Sequence, residues 1–263
     1  MVDIHSHILP GLDDGSPNIK TSLEMLRIAA ASGTTDIVAT PHANVDYAFD
    51  PAVVGRKLEQ LSAKAGPAPR IHRGCDLHLS FDNIEDALAY PTKYTINGHR
   101  YLLVEFSDLI IFRNVTEIFD RLLQAGMVPI ITHPERNWLL QQRLGDLELW
   151  ARRGVLLQVT ALSLTGRFGR AARAFSEKLI ELGLAHFIAS DAHDPVDRTP
   201  SMTEAFRRVA RRYGDTWAER LFVTNPRCTL TGEPVNPGPH ADPPRPRRWF
   251  HLFRKGNGAP GAA

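Results

Sequence analysis

The stretches Tyr101-Leu-Leu-Val-Glu-Phe106 and Val128-Pro-Ile-Ile-Thr-His133 show how this chain is built. Each is a short apolar run, which is typical of a strand buried on both faces of a parallel sheet. Similar runs occur at residues 36–39, 155–159 and 187–189. With the strand-like segments at residues 3–7 and 71–76, the expected total is about seven strands. Helix-like segments separate them, and strands that alternate with helices predict a mainly parallel α/β fold.

Six segments have the apolar periodicity of amphipathic helices. They are residues 16–32, 51–65, 115–125, 138–153, 171–182 and 201–213. In the first, Ser16 is the expected N-cap and Gly33 follows the last turn. In the last, Ser201 and Glu204 have the spacing of a capping box, and Gly214 is expected to close the helix. Periodicity leaves open whether the sheet closes, although the chain length suits a barrel with polar residues at one mouth.

Composition limits the classes of protein to which this chain can belong. Its 263 residues are 43% hydrophobic and 23% charged, which excludes a disordered or fibrous protein. The formal charge of +2 gives no support for a nucleic-acid partner. The two cysteines, and a start that lacks the basic and apolar regions of a secretion signal, predict a reduced cytoplasmic protein.

The composition changes after Gly232. Residues 233–263 are dense in proline and glycine, and residues 245–255 combine five positive charges with three aromatic side chains. We interpret residues 233–263 as a flexible basic tail that follows a single domain of residues 1–232. A peripheral contact of residues 245–255 with an anionic membrane surface is the alternative interpretation.

The most informative motif is Asp3-Ile-His-Ser-His7. Because residues i and i+2 of a strand point to the same side, His5 and His7 can present two imidazoles to one metal ion. Asp191-Ala-His193 repeats this spacing, and Asp14 lies in the loop after the first strand. Both motifs are therefore candidate metal sites.

Other strand-like runs also end in residues that can bind metal, namely His42, Asp76, Glu105 and His133. In a parallel sheet these ends meet at one edge, so histidines and carboxylates would share a pocket. Carboxylates can bridge the ions of a multinuclear hydrolytic site, and mixed histidine and carboxylate ligands suit Mn, Fe or Zn.

Two rival ways of handling phosphate find no support in the sequence. Neither Cys75 nor Cys228 has an arginine six residues later, as a cysteine-dependent tyrosine phosphatase of the common families needs. The chain also lacks a glycine-rich loop that ends in Gly-Lys-Ser/Thr, and it lacks a Gly-x-Gly-x-x-Gly fingerprint.

The ordered motifs of this chain are residues 3–15, Thr40-Pro-His42, Glu105-Phe106, Thr132-His-Pro-Glu-Arg136 and Ala189-Ser-Asp-Ala-His193. Together they resemble the PHP (polymerase and histidinol phosphatase) superfamily. Within it the chain looks most like the bacterial CpsB/CapC metal-dependent tyrosine phosphatases. The resemblance implies a distorted (β/α)7-type barrel that holds up to three divalent ions, commonly Mn²⁺.

The resemblance also implies a role for each motif residue. It assigns His5, His7, Asp76 and Asp191 to one ion, Asp76, Glu105 and His133 to a second, and Asp14, His42 and His193 to a third. It further implies that Arg136 binds the substrate phosphate with Arg198 as a second contact, and that Arg136, Asp191 and His193 are catalytic. An ion pair of Arg136 with Glu135 or with a nearby helix is the structural alternative. The family usually has glutamate at the position of Asp76. The carboxylate of aspartate is one methylene shorter, so the occupancy and spacing of the second ion stay undecided from sequence.

The implied activity is hydrolysis of protein phosphotyrosine by metal-activated water. The implied partner is the tyrosine-rich tail of a membrane-bound bacterial autokinase of capsule or exopolysaccharide synthesis. Two alternatives share the same metal centre, namely a small-molecule phosphoesterase such as a histidinol phosphatase and a non-catalytic scaffold. The sequence indicates no oligomeric state.

Overall fold

The computed structural model describes residues 1–235, so the predictions for residues 236–263, including the membrane contact of residues 245–255, lie outside the described residues. The strands are β1 (Val2–Ser6), β2 (Asp36–Ala39), β3 (His42–Ala43), β4 (Arg70–Arg73), β5 (Asp76–His78), β6 (Tyr101–Glu105), β7 (Val128–Thr132), β8 (Leu156–Thr160) and β9 (Phe187–Ala189). The helices are α1 (Ile19–Ala31), α2 (Pro51–Ser62), α3 (Phe81–Ala89), α4 (Val115–Gln124), α5 (Trp138–Gln141), α6 (Leu144–Arg152), α7 (Ala161–Thr165), α8 (Gly169–Glu181), α9 (Thr203–Tyr213), α10 (Asp215–Glu219) and α11 (Asn225–Thr231). Within residues 1–235, no helix combines the length and apolar character needed to cross a membrane.

The strands form two parallel sheets with the orders β1-β2-β4 and β3-β5-β6-β7-β8-β9, which confirms the predicted parallel α/β fold. β3 continues the path of β2, and β5 continues that of β4, since the amides of Gly74 and Asp76 donate to the carbonyls of Ala39 and Pro41. Pro41 has no N–H for the ladder, which explains one of the interruptions.

The first strand lies beside the segment that follows the last one. Ser6 forms a parallel bridge with Ala192, the Asp191 amide donates to the His5 carbonyl at 2.8 Å, and the His7 amide donates to the Ala192 carbonyl at 2.8 Å. These bonds bring the two motifs of i, i+2 spacing next to each other.

Both faces of most strands are buried, as predicted for a parallel sheet with helical connections, whereas the edge strand β4 is partly exposed. One cluster gathers alternate residues from both sheets, for example Ile4, Leu103 and Phe187. Val235 packs into the same cluster, and the Tyr101 hydroxyl donates to the Glu233 carbonyl and accepts from the Val235 amide. Residues 233–235 are therefore packed against the domain, and the boundary at residue 232 stays a prediction.

The start of α1 differs from the predicted one. Asn18, not Ser16, is the N-cap, and its side chain accepts from the Thr21 amide. The Ser16 amide instead donates to the His7 carbonyl at 3.0 Å, which keeps Ser16 in the loop over β1. The predicted N-cap was therefore wrong because a long-range bond holds this residue.

Two further helix predictions need correction. α9 begins at Thr203 without a side-chain cap, so the capping box of Ser201 and Glu204 does not form. Residues 138–153 form two helices, α5 and α6, rather than one. Gly214 ends α9 as predicted, but α10 begins at the next residue, since a positive φ of 102° at Gly214 redirects the chain.

Candidate metal centre

The predicted metal-binding residues meet where the strands end. The group comprises His5, His7, Asp14, His42, Asp76, Glu105, His133, Asp191 and His193. Asp14 is the most exposed of them, with 49% of its side chain accessible, whereas Asp76 is fully buried. The imidazole centroids of His7 and His193 are 4.0 Å apart, and those of His7 and His42 are 4.4 Å apart. The residues thus enclose a centre that is open on the side of Asp14.

The first ligand group joins β1 to β5. The Nε2 atoms of His5 and His7 are 3.2 Å apart, and Asp76 Oδ2 lies 3.4 Å from His5 Nε2. Asp191 Oδ1 lies 3.5 Å from Nε2 of both histidines. The structure therefore brings together the four residues that the resemblance implied for one ion.

The second ligand group lies at the open side. Asp14 Oδ1 is 3.4 Å from His42 Nε2 and 3.4 Å from His193 Nε2. His7 completes this group. It contains the three residues that the resemblance implied for one ion, with His7 added.

The third ligand group contains His42, Asp76 and Glu105. His42 Nδ1 is 3.4 Å from Asp76 Oδ2 and 3.5 Å from Glu105 Oε2. His133 was expected here, and its Nε2 lies 3.6 Å from Glu105 Oε1 but outside the compact set. The two ring nitrogens of His42 thus face two different groups.

Two atoms between these groups show that a cation fits. His42 Nδ1 and Asp76 Oδ2 are buried and have no hydrogen-bond partner within residues 1–235. Leaving such atoms unsatisfied is costly, and a divalent cation would satisfy both. Two donors bound at about 2.1 Å to one ion are at most about 4.2 Å apart, and the measured separations meet that limit. The shorter carboxylate of Asp76 still reaches both neighbouring histidines.

The histidines differ in their tendency to hold a proton. Burial lowers the pKa of His7 to about 4 and that of His133 to about 3. At His5 burial opposes protonation, but the Asp76 and Asp191 carboxylates outweigh it and raise the pKa to about 9. His7 and His133 are thus neutral, as ligands must be, while a metal ion must displace a proton from His5.

Two residues that were not among the predicted site residues fix the ring orientations. Asp13 Oδ2 accepts from His7 Nδ1 at 2.7 Å, and Gln158 Oε1 accepts from His5 Nδ1 at 2.9 Å. Each bond leaves Nε2 of the histidine to face the centre. Asp13 was detectable as the neighbour of Asp14, whereas the only sequence signal of Gln158 was a polar residue within an apolar run.

Gly15 allows the loop after β1 to lie directly on His7. A Cβ atom at Gly15 would come 2.2 Å from the His7 carbonyl oxygen and 2.4 Å from its Cβ. Because His7 is buried and directly follows β1, its atoms cannot move away without shifting a candidate ligand. Glycine is therefore required here by space.

We expect Gly15→Ala to lower the free energy of unfolding by about 3 kcal/mol, the cost of overpacking a buried position. Urea denaturation of chelator-treated protein measures the change. The matched control is Gly55→Ala in α2, where a new Cβ meets nothing within 4 Å. That variant should gain about 0.5 to 1 kcal/mol from helix propensity. Equal stability of Gly15→Ala and the wild type would contradict the close contact.

Two arginines lie beside the candidate ligands. Asp191 turns Oδ1 towards the histidines, while its Oδ2 accepts from Arg136 Nη1 and, at 2.6 Å, from Arg198 Nη2. The face of Arg136 lies over Phe168, with Cζ 4.3 Å from the ring centroid. Asp191 thus connects the ligand groups to both predicted phosphate contacts.

The alternative pairing of Arg136 with Glu135 is not present. Glu135 is fully buried, and its Oε1 accepts from the Thr160 amide at 2.9 Å and the Ser163 hydroxyl at 2.7 Å. Glu135 therefore ties the loop after β7 to the end of β8, and Arg136 is directed to Asp191 instead.

Backbone strain is concentrated at two of these residues. His133 has φ of 33° and Asp191 has φ of 50°, both in the left-handed region that residues with a side chain seldom adopt. Such conformations cost of order 1 kcal/mol or more and cluster at functional sites. His133 directly follows β7 and Asp191 lies two residues after β9, where the turn aims each side chain at the centre.

The fold and the site define a class, that of parallel α/β proteins with overlapping histidine and carboxylate groups suited to several divalent ions at the strand ends. A family model described as capsular polysaccharide synthesis, CpsB/CapC, matches residues 1–231. The chain belongs to the CpsB/CapC family, which confirms the predicted resemblance.

Individual relatives extend over nearly the whole chain. CapC of Staphylococcus aureus is 35% identical over 259 residues, which are 96% of this chain and 100% of that protein. The tyrosine-protein phosphatase YwqE of Bacillus subtilis is 33% identical over 261 residues, 96% of this chain and 99% of that protein. Among solved structures, one from work on Bacillus subtilis YwqE and Streptococcus pneumoniae CpsB, described as unique metal-dependent tyrosine phosphatases, has a TM-score of 0.84 at 32% identity. The structural alignment covers 94% of this chain and 100% of the chain in that structure.

Proposed function

We propose that this protein is a metal-dependent phosphatase that hydrolyses phosphotyrosine in proteins. The observation that carries the proposal is a pair of buried atoms without a hydrogen bond, His42 Nδ1 and Asp76 Oδ2. They lie where ligand groups meet beside Arg136 and Arg198. The names of the YwqE and CpsB relatives support the activity.

The three ligand groups would hold the ions. Mixed imidazole and carboxylate ligands suit Mn, Fe or Zn, and we propose Mn²⁺, the ion that the family resemblance implies. When bound, divalent ions activate water for attack and stabilise negative charge on the phosphoryl oxygens. Asp13 and Gln158 keep the histidine rings oriented for this task.

Side chains beside the ligand groups would bind and orient the substrate. Arg136 and Arg198 present planar guanidinium groups, which match the geometry of phosphoryl oxygens. Phe168 holds the plane of Arg136, and Asp191 holds its edge. His193 Nδ1 donates to the Asp191 carbonyl at 3.1 Å, which leaves Nε2 facing Asp14 at the open side. We therefore propose Arg136, Asp191 and His193 as catalytic residues.

Tyrosine is favoured over serine as the leaving group by its own chemistry. A phenol has a pKa of about 10, so phenolate leaves with little help from a general acid. We further propose that the substrate is the tail of a bacterial tyrosine kinase in the cytoplasm. The match of this chain to the capsular polysaccharide synthesis family supports a kinase of capsule synthesis as the substrate.

We also propose that the two sheets form one distorted barrel. The hydrogen bonds that join β1 to the residues after β9 support closure at that edge. The interrupted strands β2 and β3, and β4 and β5, would be the source of the distortion.

The test of the proposed function is metal removal and return. Chelator treatment should reduce phosphate release from a phosphotyrosine peptide at least about 100-fold, and Mn²⁺ should restore it. Unchanged turnover after verified metal removal would contradict the proposal. Hydrolysis of histidinol phosphate in preference to the peptide would indicate a small-molecule phosphoesterase. Full metal occupancy without turnover of any phosphoester would indicate a scaffold.

A further inference from the structure

The exposed large apolar side chains of residues 1–235 are concentrated in the segments that follow the carboxyl ends of the strands, the side of the candidate centre. Of the nine large ones in residues 1–235, six lie in segments that directly follow the carboxyl end of a strand. Five of these six, which we call the apolar rim, are Val45, Phe81, Leu109, Ile110 and Trp138. Val45 is 95% exposed and Leu109 is 90% exposed. Single exposed apolar residues are ordinary, but a cluster of them marks an interaction surface.

The rim is continuous because its segments are tied to one another. They follow β3, β5, β6 and β7, which are neighbours in the sheet. The Asn83 side chain donates to the Ala43 carbonyl at 2.8 Å, and the Leu79 amide donates to the Glu105 carbonyl at 2.8 Å. The Trp138 indole N–H donates to the Asp108 carbonyl at 3.1 Å. These bonds hold the rim as one arc beside Glu105.

The arc also carries negative charge. Asp46, Asp82 and Asp108 are exposed and adjoin Val45, Phe81 and Leu109 in sequence. The exposed arginines in the same segments are Arg113 and Arg143. Within residues 1–235, neither Asp46 nor Asp82 forms an ion pair with a basic side chain. A surface of this kind fits a partner that combines apolar and basic groups, and it repels an anionic membrane.

We propose that the apolar rim binds the polypeptide on either side of the phosphotyrosine, and that it selects apolar and basic flanking residues. This inference rests on the proposed function, since the rim borders the centre where the phosphate would be hydrolysed. A second copy of this chain on the rim would cover the centre, which argues against a dimer contact there.

The experiment compares two phosphotyrosine peptides, one flanked by leucine and lysine and one flanked by serine and glutamate. Para-nitrophenyl phosphate, which has no flanking residues, reports on the metal centre alone. The rim variant is Leu109→Ser combined with Ile110→Ser. The matched control is Leu182→Ser, an exposed leucine that directly follows α8 and is remote from the strand carboxyl ends.

We expect the kcat/KM of the leucine and lysine peptide, divided by that of para-nitrophenyl phosphate, to fall about tenfold in the rim variant. The ratio should not change in the control. Asp46→Lys combined with Asp82→Lys should shift the preference towards the glutamate peptide. Fluorescence anisotropy of the labelled peptide with chelator-treated protein measures the same contacts without turnover.

Several outcomes would overturn the inference. If the wild type and the rim variant have the same ratio of kcat/KM values and the same peptide affinity, the rim does not bind the peptide. A rim variant that changes the elution volume in size-exclusion chromatography assigns the rim to a second copy. Loss of sedimentation with anionic vesicles assigns it to a membrane. Absence of all turnover with Mn²⁺ rejects the proposed function. The anisotropy measurement then shows by itself whether the rim binds the peptide.

Discussion

Asp76→Asn should reduce turnover of a phosphotyrosine peptide about 1000-fold, equivalent to about 4 kcal/mol of transition-state stabilisation. The substitution preserves size and shape but removes the charge of an oxygen that lies 3.4 Å from both His5 Nε2 and His42 Nδ1. Burial alone would raise the pKa of Asp76, but His5, His42 and His133 hold it well below its usual range. The side chain is therefore an ionised carboxylate that takes part in two ligand groups.

The measurement is kcat for the peptide with Mn²⁺ in excess, together with bound metal per chain by mass spectrometry. Metal content should fall along with kcat, because asparagine is a weaker ligand. The matched control is Asp120→Asn, an aspartate on the surface of α4 that pairs with Arg153. The control should retain activity within about twofold, as expected for an exposed ion pair. Full activity of Asp76→Asn would show that this carboxylate holds no essential ion.

The strands were the most predictable part of the fold. β2 at residues 36–39 and β9 at residues 187–189 have the predicted ends, because burial on both faces leaves an uninterrupted apolar run. The helix starts were less predictable, since Ser16 is held by a bond to His7 rather than by its own helix. α10 and α11 were not predicted: Gly214 was expected only to close the helix of residues 201–213, whereas it turns the chain directly into α10.

The positions of the candidate ligands followed from the strand ends, but their pairing did not. Sequence spacing placed His42 at the mouth without indicating that both of its nitrogens would face ligands. The roles of Asp13 and Gln158 depend on which ring nitrogen each one binds, and sequence carries no record of that. Phe168 lies in the loop before α8, and only the folded chain brings it to Arg136.

Arg136→Lys should reduce kcat/KM for the phosphotyrosine peptide about 100-fold. Lysine keeps the positive charge but lacks the planar pair of donors that matches a phosphoryl group. It also loses the flat face that packs on Phe168. Asp191 would still be paired, because Arg198 Nη2 remains 2.6 Å from its Oδ2. The variant should therefore fold and bind metal normally, so the loss reports on contact with the substrate.

The comparison with Arg198→Lys separates shared from independent roles. Because both arginines reach the same Asp191 oxygen, replacing both should cost less than the product of the single effects. Arg143→Lys, an exposed arginine just before α6, is the matched control and should change kcat/KM less than about twofold. If Arg136→Lys retained wild-type kcat/KM, the guanidinium would serve only to hold Asp191, and the phosphate would have to be bound by the ions and Arg198. If the single effects multiplied fully, the two arginines would contact the phosphate independently.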